Sequence, residues 1–160
     1  MIGAVNLICC RLQTAQIGPY RIFNCYAPSG SENRFARVQF YGEELFRYFK
    51  LHPDSSKIIG GDHNCVLRKD DVENGVGFAS KFCGALQSLV QCEHLVDCHL
   101  LFPRQSKEFT FHRPGKAKSR LDRFYVSDFI SQDVIVSEHI PSLSDHLGVK
   151  LVLTMEINKT

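Results

Sequence analysis

The stretch Lys57-Ile58-Ile59-Gly60-Gly61-Asp62 does most to restrict the fold of this chain. Its apolar run is too short for a helix and reads as a buried strand that runs into a loop. The two glycines let a backbone or a ligand come close, and the acid that follows stands at a strand end, where rigid scaffolds mount reactive groups. A buried strand needs layers around it, and the rest of the chain supplies candidates by alternating strand-like and helix-like segments. That alternation predicts α/β or α+β layering in one domain over residues 1–160.

Residues 3–12 and 20–26 read as a hairpin about Gly18-Pro19, with Ala27-Pro28-Ser29-Gly30 breaking the second strand. Ser31 is a candidate N-cap. Phe35, Val38, Gly42, Leu45 and Phe49 follow at helical spacing, and Pro53 stops that helix. Residues 66–77 read as loop, and 78–93 as a second helix with Phe82, Leu86 and Leu89 inward. Strands are expected at 108–112, 120–127, 134–139 and 147–155, the first two forming a hairpin across a basic turn.

Bulk properties exclude more than they assign. With 44% hydrophobic and 22% charged residues the chain is neither disordered nor membrane-spanning in character, and no apolar run nears the roughly 20 residues a bilayer requires. The N-terminus has no basic region and no small-residue cleavage pattern, so no signal peptide is predicted. Seven cysteines without a CxxC pair, most within apolar runs, read as reduced core residues of an intracellular protein. A zinc cluster of Cys92, His94, Cys98 and His99 lacks the paired short spacing of structural zinc sites. A net charge of +2 does not by itself point to nucleic acid.

Three acidic motifs stand at strand ends: Gly61-Asp62-His63-Asn64, Arg120-Leu121-Asp122 and Ser144-Asp145-His146. In extended geometry Asp62 and Asn64 share a face, which pairs a carboxylate able to hold a water with an amide able to donate to a phosphate oxygen. Each string alone is also an ordinary Asx turn or surface ion pair. Together and in order, with Phe23-Asn24-Cys25-Tyr26-Ala27-Pro28, Phe109-Thr110-Phe111-His112 and Ser119-Arg120-Leu121-Asp122-Arg123, they resemble the endonuclease/exonuclease/phosphatase superfamily of DNase I-like nucleases and apurinic-site endonucleases. Within it they are most similar to the endonuclease domain of LINE-type non-LTR retrotransposons.

The resemblance implies a four-layer α/β fold, a β-sandwich flanked by helices, present here as its incomplete C-terminal portion. It also implies Mg²⁺- or Mn²⁺-dependent nicking of DNA. Asp62 would hold or deprotonate the water, Asn64 would bond the scissile phosphate, and His146, oriented by Asp122, would stabilise its charge. Asp145 would bind the metal, and Tyr26 would support the phosphate or the leaving oxygen. Thr110, Arg113, Lys116, Lys118 and Arg120 would contact DNA from the basic hairpin. The implied partners are DNA and a retroelement polyprotein with a reverse transcriptase, and the implied location is nuclear. Two departures stand out. His63 occupies a position usually held by Phe, Leu or Trp. The family's opening strand with its Asn, and the Glu that is a principal metal ligand, have no counterpart among the residues before Arg21, which include no Asp or Glu. Little nuclease activity is therefore expected of this chain alone. The alternatives are a small-molecule phosphatase of the same superfamily and a non-catalytic remnant or binding module.

Overall fold

A computed structural model describes residues 6–9, 11–103 and 108–154, the first four as backbone only. Its main feature is a six-stranded sheet ordered β1-β2-β3-β4-β6-β5, from strands Asn6–Cys9 (β1), Leu12–Ile17 (β2), Tyr20–Tyr26 (β3), Ser56–Asp62 (β4), Leu95–Asp97 (β5) and Asp122–Ser127 (β6). A second sheet pairs β7 (Val134–Ile140) with β8 (Gly148–Leu153). β3 and β4 run parallel, while β1–β2, β2–β3, β4–β6, β5–β6 and β7–β8 pair antiparallel. A parallel pair needs a long crossover, and the helical stretch over residues 34–50 provides it.

Alternation along β3, β4 and β6 gives the main sheet two apolar faces. Phe23, Cys25, Ile59 and Tyr125 turn to the helices, where Phe40, Tyr41, Leu45, Phe49, Leu86 and Leu89 complete the larger core. Tyr20, Ile22, Ile58, Phe124 and Val126 turn the other way and pack on Val134, Leu151 and Leu153 of the second sheet. Helices, large sheet and small sheet thus stack in that order among the described residues, an α/β fold of the expected class. No helix among these residues is long and apolar enough to cross a membrane.

Gly60 and Gly61 are required by this stacking. A Cβ at Gly60 would stand 2.2 Å from the Phe124 ring, and one at Gly61 would stand 1.9 Å from the Cys25 carbonyl oxygen. The φ of +136° at Gly61 also excludes an ordinary L residue.

Several expected elements differ. The first hairpin strand is two strands, β1 and β2, with Arg11 in a turn between them, and residues 3–5 and 10 lie outside the described ones. The turn at Gly18-Pro19 joins β2 to β3 as expected. The first helix starts at Arg34 after Asn33, not after Ser31, and contains a π-helical stretch, Phe40–Leu45, between α1 (Arg34–Gln39) and α2 (Phe46–Lys50). Arg37 takes the inward face of its first turns, donating to the carbonyls of Pro28 and Gly30, both at 2.7 Å. Phe35 is therefore turned out at 71% exposure, and Val38 with it. The wider π turn then changes the phase, so that Phe40, Tyr41, Leu45 and Phe49 form the buried face.

The second helix is two, α3 (Phe78–Lys81) and α4 (Gly84–Cys92), because Phe82 is extended and bridges Val66. The strand expected at 108–112 is reduced to bridges from Phe111 to Ser119 and His146, and β6 pairs with β4 and β5 instead. Residues 104–107 and 155–160 are outside the described part, including the expected end of the last strand.

His63 lies in the helix-side core. Its Nδ1 is 3.0 Å from the Tyr41 hydroxyl, its ring stacks on Tyr41 and meets Tyr125 edge-on, and burial followed by the charge of Arg123 holds it neutral, well below the ordinary imidazole range. The unfolded chain binds a proton there below about pH 6.5 and the folded chain does not, so stability falls as the pH drops through that value. His63→Phe removes this proton uptake. Its urea midpoint, compared at about pH 7.5 and 5.5, is expected to change less than that of the parent chain.

Candidate active site

The register of three neighbouring strands sets up the site. Tyr26 ends β3 opposite Asp62, which ends β4, and Asp62 stands opposite Asp122, which begins β6. All three share the face that turns to the small sheet, because they fall in step with Ile22, Ile58 and Phe124 along their strands. The connection between β7 and β8 returns to the same end and delivers His146. Its Nδ1 lies 2.8 Å from Asp122 Oδ2, while Phe111 packs on the ring at 5.0 Å between centroids. One potential ligand atom from each of Asp62, Asp122 and His146 falls within 4.8 Å of the others.

Local geometry holds each group. Asn64 adopts a left-handed φ of 48°, so its backbone N–H donates to Asp62 Oδ1 at 2.9 Å and its side-chain amide to Asp62 Oδ2 at 3.0 Å. That amide also donates to the Ala27 carbonyl at 2.9 Å, tying the loop after β4 to the loop after β3. Thr110 Oγ1 accepts from the backbone N–H groups of Leu121 and Asp122, at 2.9 and 3.0 Å. The Ser142 and Ser144 hydroxyls donate to the His146 carbonyl, and the His146 N–H donates to Ser144 Oγ at 3.0 Å.

Electrostatics separate the two kinds of group. Burial, then the charge of Asp122, raises the Asp62 carboxyl, against the opposing Asn64 hydrogen bond and the charges of His146 and Arg123. A carboxylate moved up in this way is a better proton acceptor near neutrality. Burial works against a charged His146 ring, but the hydrogen bond and charge of Asp122, with Asp62 and Asp145 behind them, outweigh it and raise His146. Asp122 orients the imidazole through Nδ1, leaving Nε2 as the ring atom for a phosphate or a metal.

A cleft of about 470 Å³ opens over this end of the sheets, with Tyr26, Asp62, Asn64 and His146 on its wall. Arg113 reaches it from the basic loop. Lys116 is exposed on that loop, and Lys118, also exposed, pairs with Glu73 at 3.5 Å. Asp145 is exposed, and its carboxylate lies outside the Asp62–Asp122–His146 group.

Two expected DNA contacts are placed elsewhere. Thr110 is fully buried with its hydroxyl committed to backbone. Arg120 is 2% exposed, clamped by Asp97 through Nη1 at 3.0 Å and Nη2 at 2.6 Å and by Asp71 at 2.9 Å. Thr110 holds the Asp122 amide, and the Arg120 guanidinium is taken up by Asp71 and Asp97. Sequence reading had passed over Lys81 and Arg37, which also line the cleft, Lys81 with its ammonium on Ser119 Oγ. Lys81 sits in what reads as helix surface, and only the break at Phe82 brings it to the site.

No protein-family model matches this sequence, and no curated protein sequence matches it. Layered in this way, however, the chain has the α/β fold of known DNA-processing nucleases. It is similar to an AP endonuclease from Archaeoglobus fulgidus, with a TM-score of 0.80 at 19% identity over 97% of this chain and 72% of that one. It is also similar to the 3′ phosphatase NExo from Neisseria bound to product DNA hairpin, with a TM-score of 0.74 at 15% identity. The 3′-5′ exonuclease NExo from Neisseria meningitidis gives 0.67 at 17%. Each of these last two comparisons covers 91% of this chain and 65% of the other.

The Asp122–His146 pair can be measured directly. In metal-free buffer an NMR titration is expected to place His146 above the usual value of about 6.5, and Asp122→Asn to bring it down. Because the folded value is the higher one, the stabilisation from this pair is complete below about pH 6.5 and is lost as the pH rises through the folded value.

Proposed function

We propose that this chain carries the hydrolytic centre of a divalent-metal-assisted phosphodiesterase that nicks DNA, of the kind found in LINE-type retroelements. The observation that carries this reading is the convergence of Asp62, Asp122 and His146 at one sheet end, with Asp122 bonded to the imidazole. The shared fold and the order of the sequence strings support it. In this reading Asp62, with its raised carboxyl, takes the proton of the attacking water. Asn64 would turn one side-chain N–H from Asp62 to the scissile phosphate, and His146, kept oriented and charged by Asp122, stabilises the charge that builds on the phosphorus oxygens. Tyr26, half exposed at the cleft wall, supports the phosphate or the leaving oxygen. Arg113, Lys116 and Lys81 offer positive charge to the DNA backbone.

The donor set fits a divalent ion. The carboxylates of Asp62 and Asp122 would hold it, with the Asp145 carboxylate on the adjoining loop as an outlying ligand, and carboxylate oxygens suit Mg²⁺ or Mn²⁺. Such an ion supplies charge that polarises the phosphoryl oxygen. The twenty residues ahead of Arg21 contain no Asp or Glu, so none of them adds a carboxylate to this set. The chain by itself is therefore a weak nuclease, acting in the nucleus together with the remainder of a reverse-transcribing element.

Nicking of supercoiled plasmid tests both parts. Slow, Mg²⁺-dependent, EDTA-sensitive conversion to open circles is expected, reduced on the order of 100-fold or more in Asp62→Ala and in His146→Ala. Conversion indifferent to both substitutions would refute the site, and turnover at the ~1–10³ s⁻¹ typical of competent enzymes would refute the impairment.

A further inference from the structure

Between β7 of the small sheet and the turn after β5 of the large one, His99, Glu108 and His139 converge without any part in the site described above. One potential ligand atom from each lies within 4.8 Å of the others. His99 belongs to the single 3₁₀ turn Cys98–Leu101 after β5, and its backbone N–H donates to Asp97 Oδ1 at 3.1 Å. His139 stands near the end of β7, opposite Val149 of β8. The two imidazole rings are nearly parallel, 5.1 Å between centroids with 6° between planes, and His139 Nδ1 is 3.3 Å from Glu108 Oε2. The His139 side chain is only 8% exposed and that of Glu108 34%, so the group is sheltered on one side and open on the other. The open side meets a cleft of about 600 Å³ whose wall also carries His112 and Glu138.

We infer that His99, Glu108 and His139 form a second metal site, one for a zinc-type ion. The donor set argues for that class. Two imidazoles and one carboxylate are the ligands of three-coordinate protein sites that leave a fourth tetrahedral position to water, and borderline nitrogen donors select Zn²⁺ over Mg²⁺. Bonds of ~2.0–2.1 Å to a tetrahedral ion place ligand atoms roughly 3.3 Å apart, which side-chain rotation from the present spacing can reach. The elements joined are distant in sequence: the turn after β5 at the edge of the large sheet, the segment leading to Thr110 and Phe111, and β7 of the small sheet. An ion there would staple the two sheets behind the catalytic end.

The test is titration of the reduced full chain with Zn²⁺ against a chromophoric chelator, with Co²⁺ as a spectroscopic substitute. One equivalent is expected to bind below micromolar concentration and to raise the thermal midpoint. Glu108→Gln and His139→Gln are each expected to weaken it by more than about tenfold, while Asp62→Ala, in the other cluster, leaves it unchanged. Bound Co²⁺ should show the visible bands of a four-coordinate nitrogen–oxygen site without thiolate charge transfer. Glu108→Gln keeps the shape of a partly exposed side chain, so its circular dichroism should match the parent and separate lost ligation from lost fold. Absence of binding at 10 µM Zn²⁺ (about ten times the micromolar affinity set as the threshold) would overturn the site. So would binding untouched by both substitutions, thiolate charge transfer from exposed Cys92, or loss in Asp62→Ala instead.

Discussion

Two buried arginines and two buried aspartates hold the cleft end of the large sheet in place. Arg120 is gripped by Asp71 and Asp97, while Arg123 reaches the carbonyls of Cys65 and Arg120, the hydroxyl of Tyr125 at 3.0 Å, and Asp71 at 3.8 Å. Asp71 accepts in addition from the Leu67 and Arg68 amides. Burial works against charge on Asp97 and on both arginines, and yet Arg120 and then Arg123 hold Asp97 below the usual carboxylate range, Asp97 and Asp71 raise Arg120, and Tyr125 with Asp71 raises Arg123. Such a network contributes little net stability compared with an apolar core, but losing one partner strands a buried charge at a cost of about 3–5 kcal/mol. What it secures is position. Asp122 lies between the two arginines in the chain, its own amide is held by Thr110, and it has little freedom left.

The same end of the sheet divides its labour by the alternation of strand and loop residues. Asp62 turns to the small sheet and the cleft, and His63, one residue on, turns to the helices and joins Tyr41 and Tyr125. Asn64 then reverses through its left-handed backbone to meet Asp62 again. Three successive residues thus serve the cleft wall, the core and the cleft wall. The glycines ahead of them allow the Cys25 carbonyl and the Phe124 ring to close over the strand.

Legibility in the sequence followed the range of the forces involved. β4, β6 and β7 could be read because apolar runs bounded by turn residues are local signals. Asp62, Asn64, Asp122 and His146 could be singled out because each stands at such a boundary, and the structure does bring them together. The first helix was misread on its inner face, since a buried Arg37 and a π turn are set by the loop at Pro28–Gly30 and by the sheet beneath, not by spacing along the helix. Arg120 and Thr110 are expected as DNA contacts only because the family resemblance implies a DNA-contacting basic hairpin. Their partners, Asp71, Asp97 and the Leu121 amide, are supplied by folding. Lys81 entered the cleft through a helix break that no local pattern announces.

The segment from Glu108 to His112 joins the two ends of this arrangement. Glu108 belongs to the imidazole-rich cluster, Thr110 carries the amides of Leu121 and Asp122, Phe111 packs on His146, and the His112 amide donates to the Asp145 carbonyl at 2.8 Å. One short segment therefore touches both groups, and the backbone of Thr110, Phe111 and His112 is tied to Ser119, Asp145 and Leu147. Glu108 stands just ahead of these backbone bonds. An ion that fixed Glu108 would therefore extend the ordered part of the segment by anchoring its start, ahead of the residues that hold Asp122 and His146.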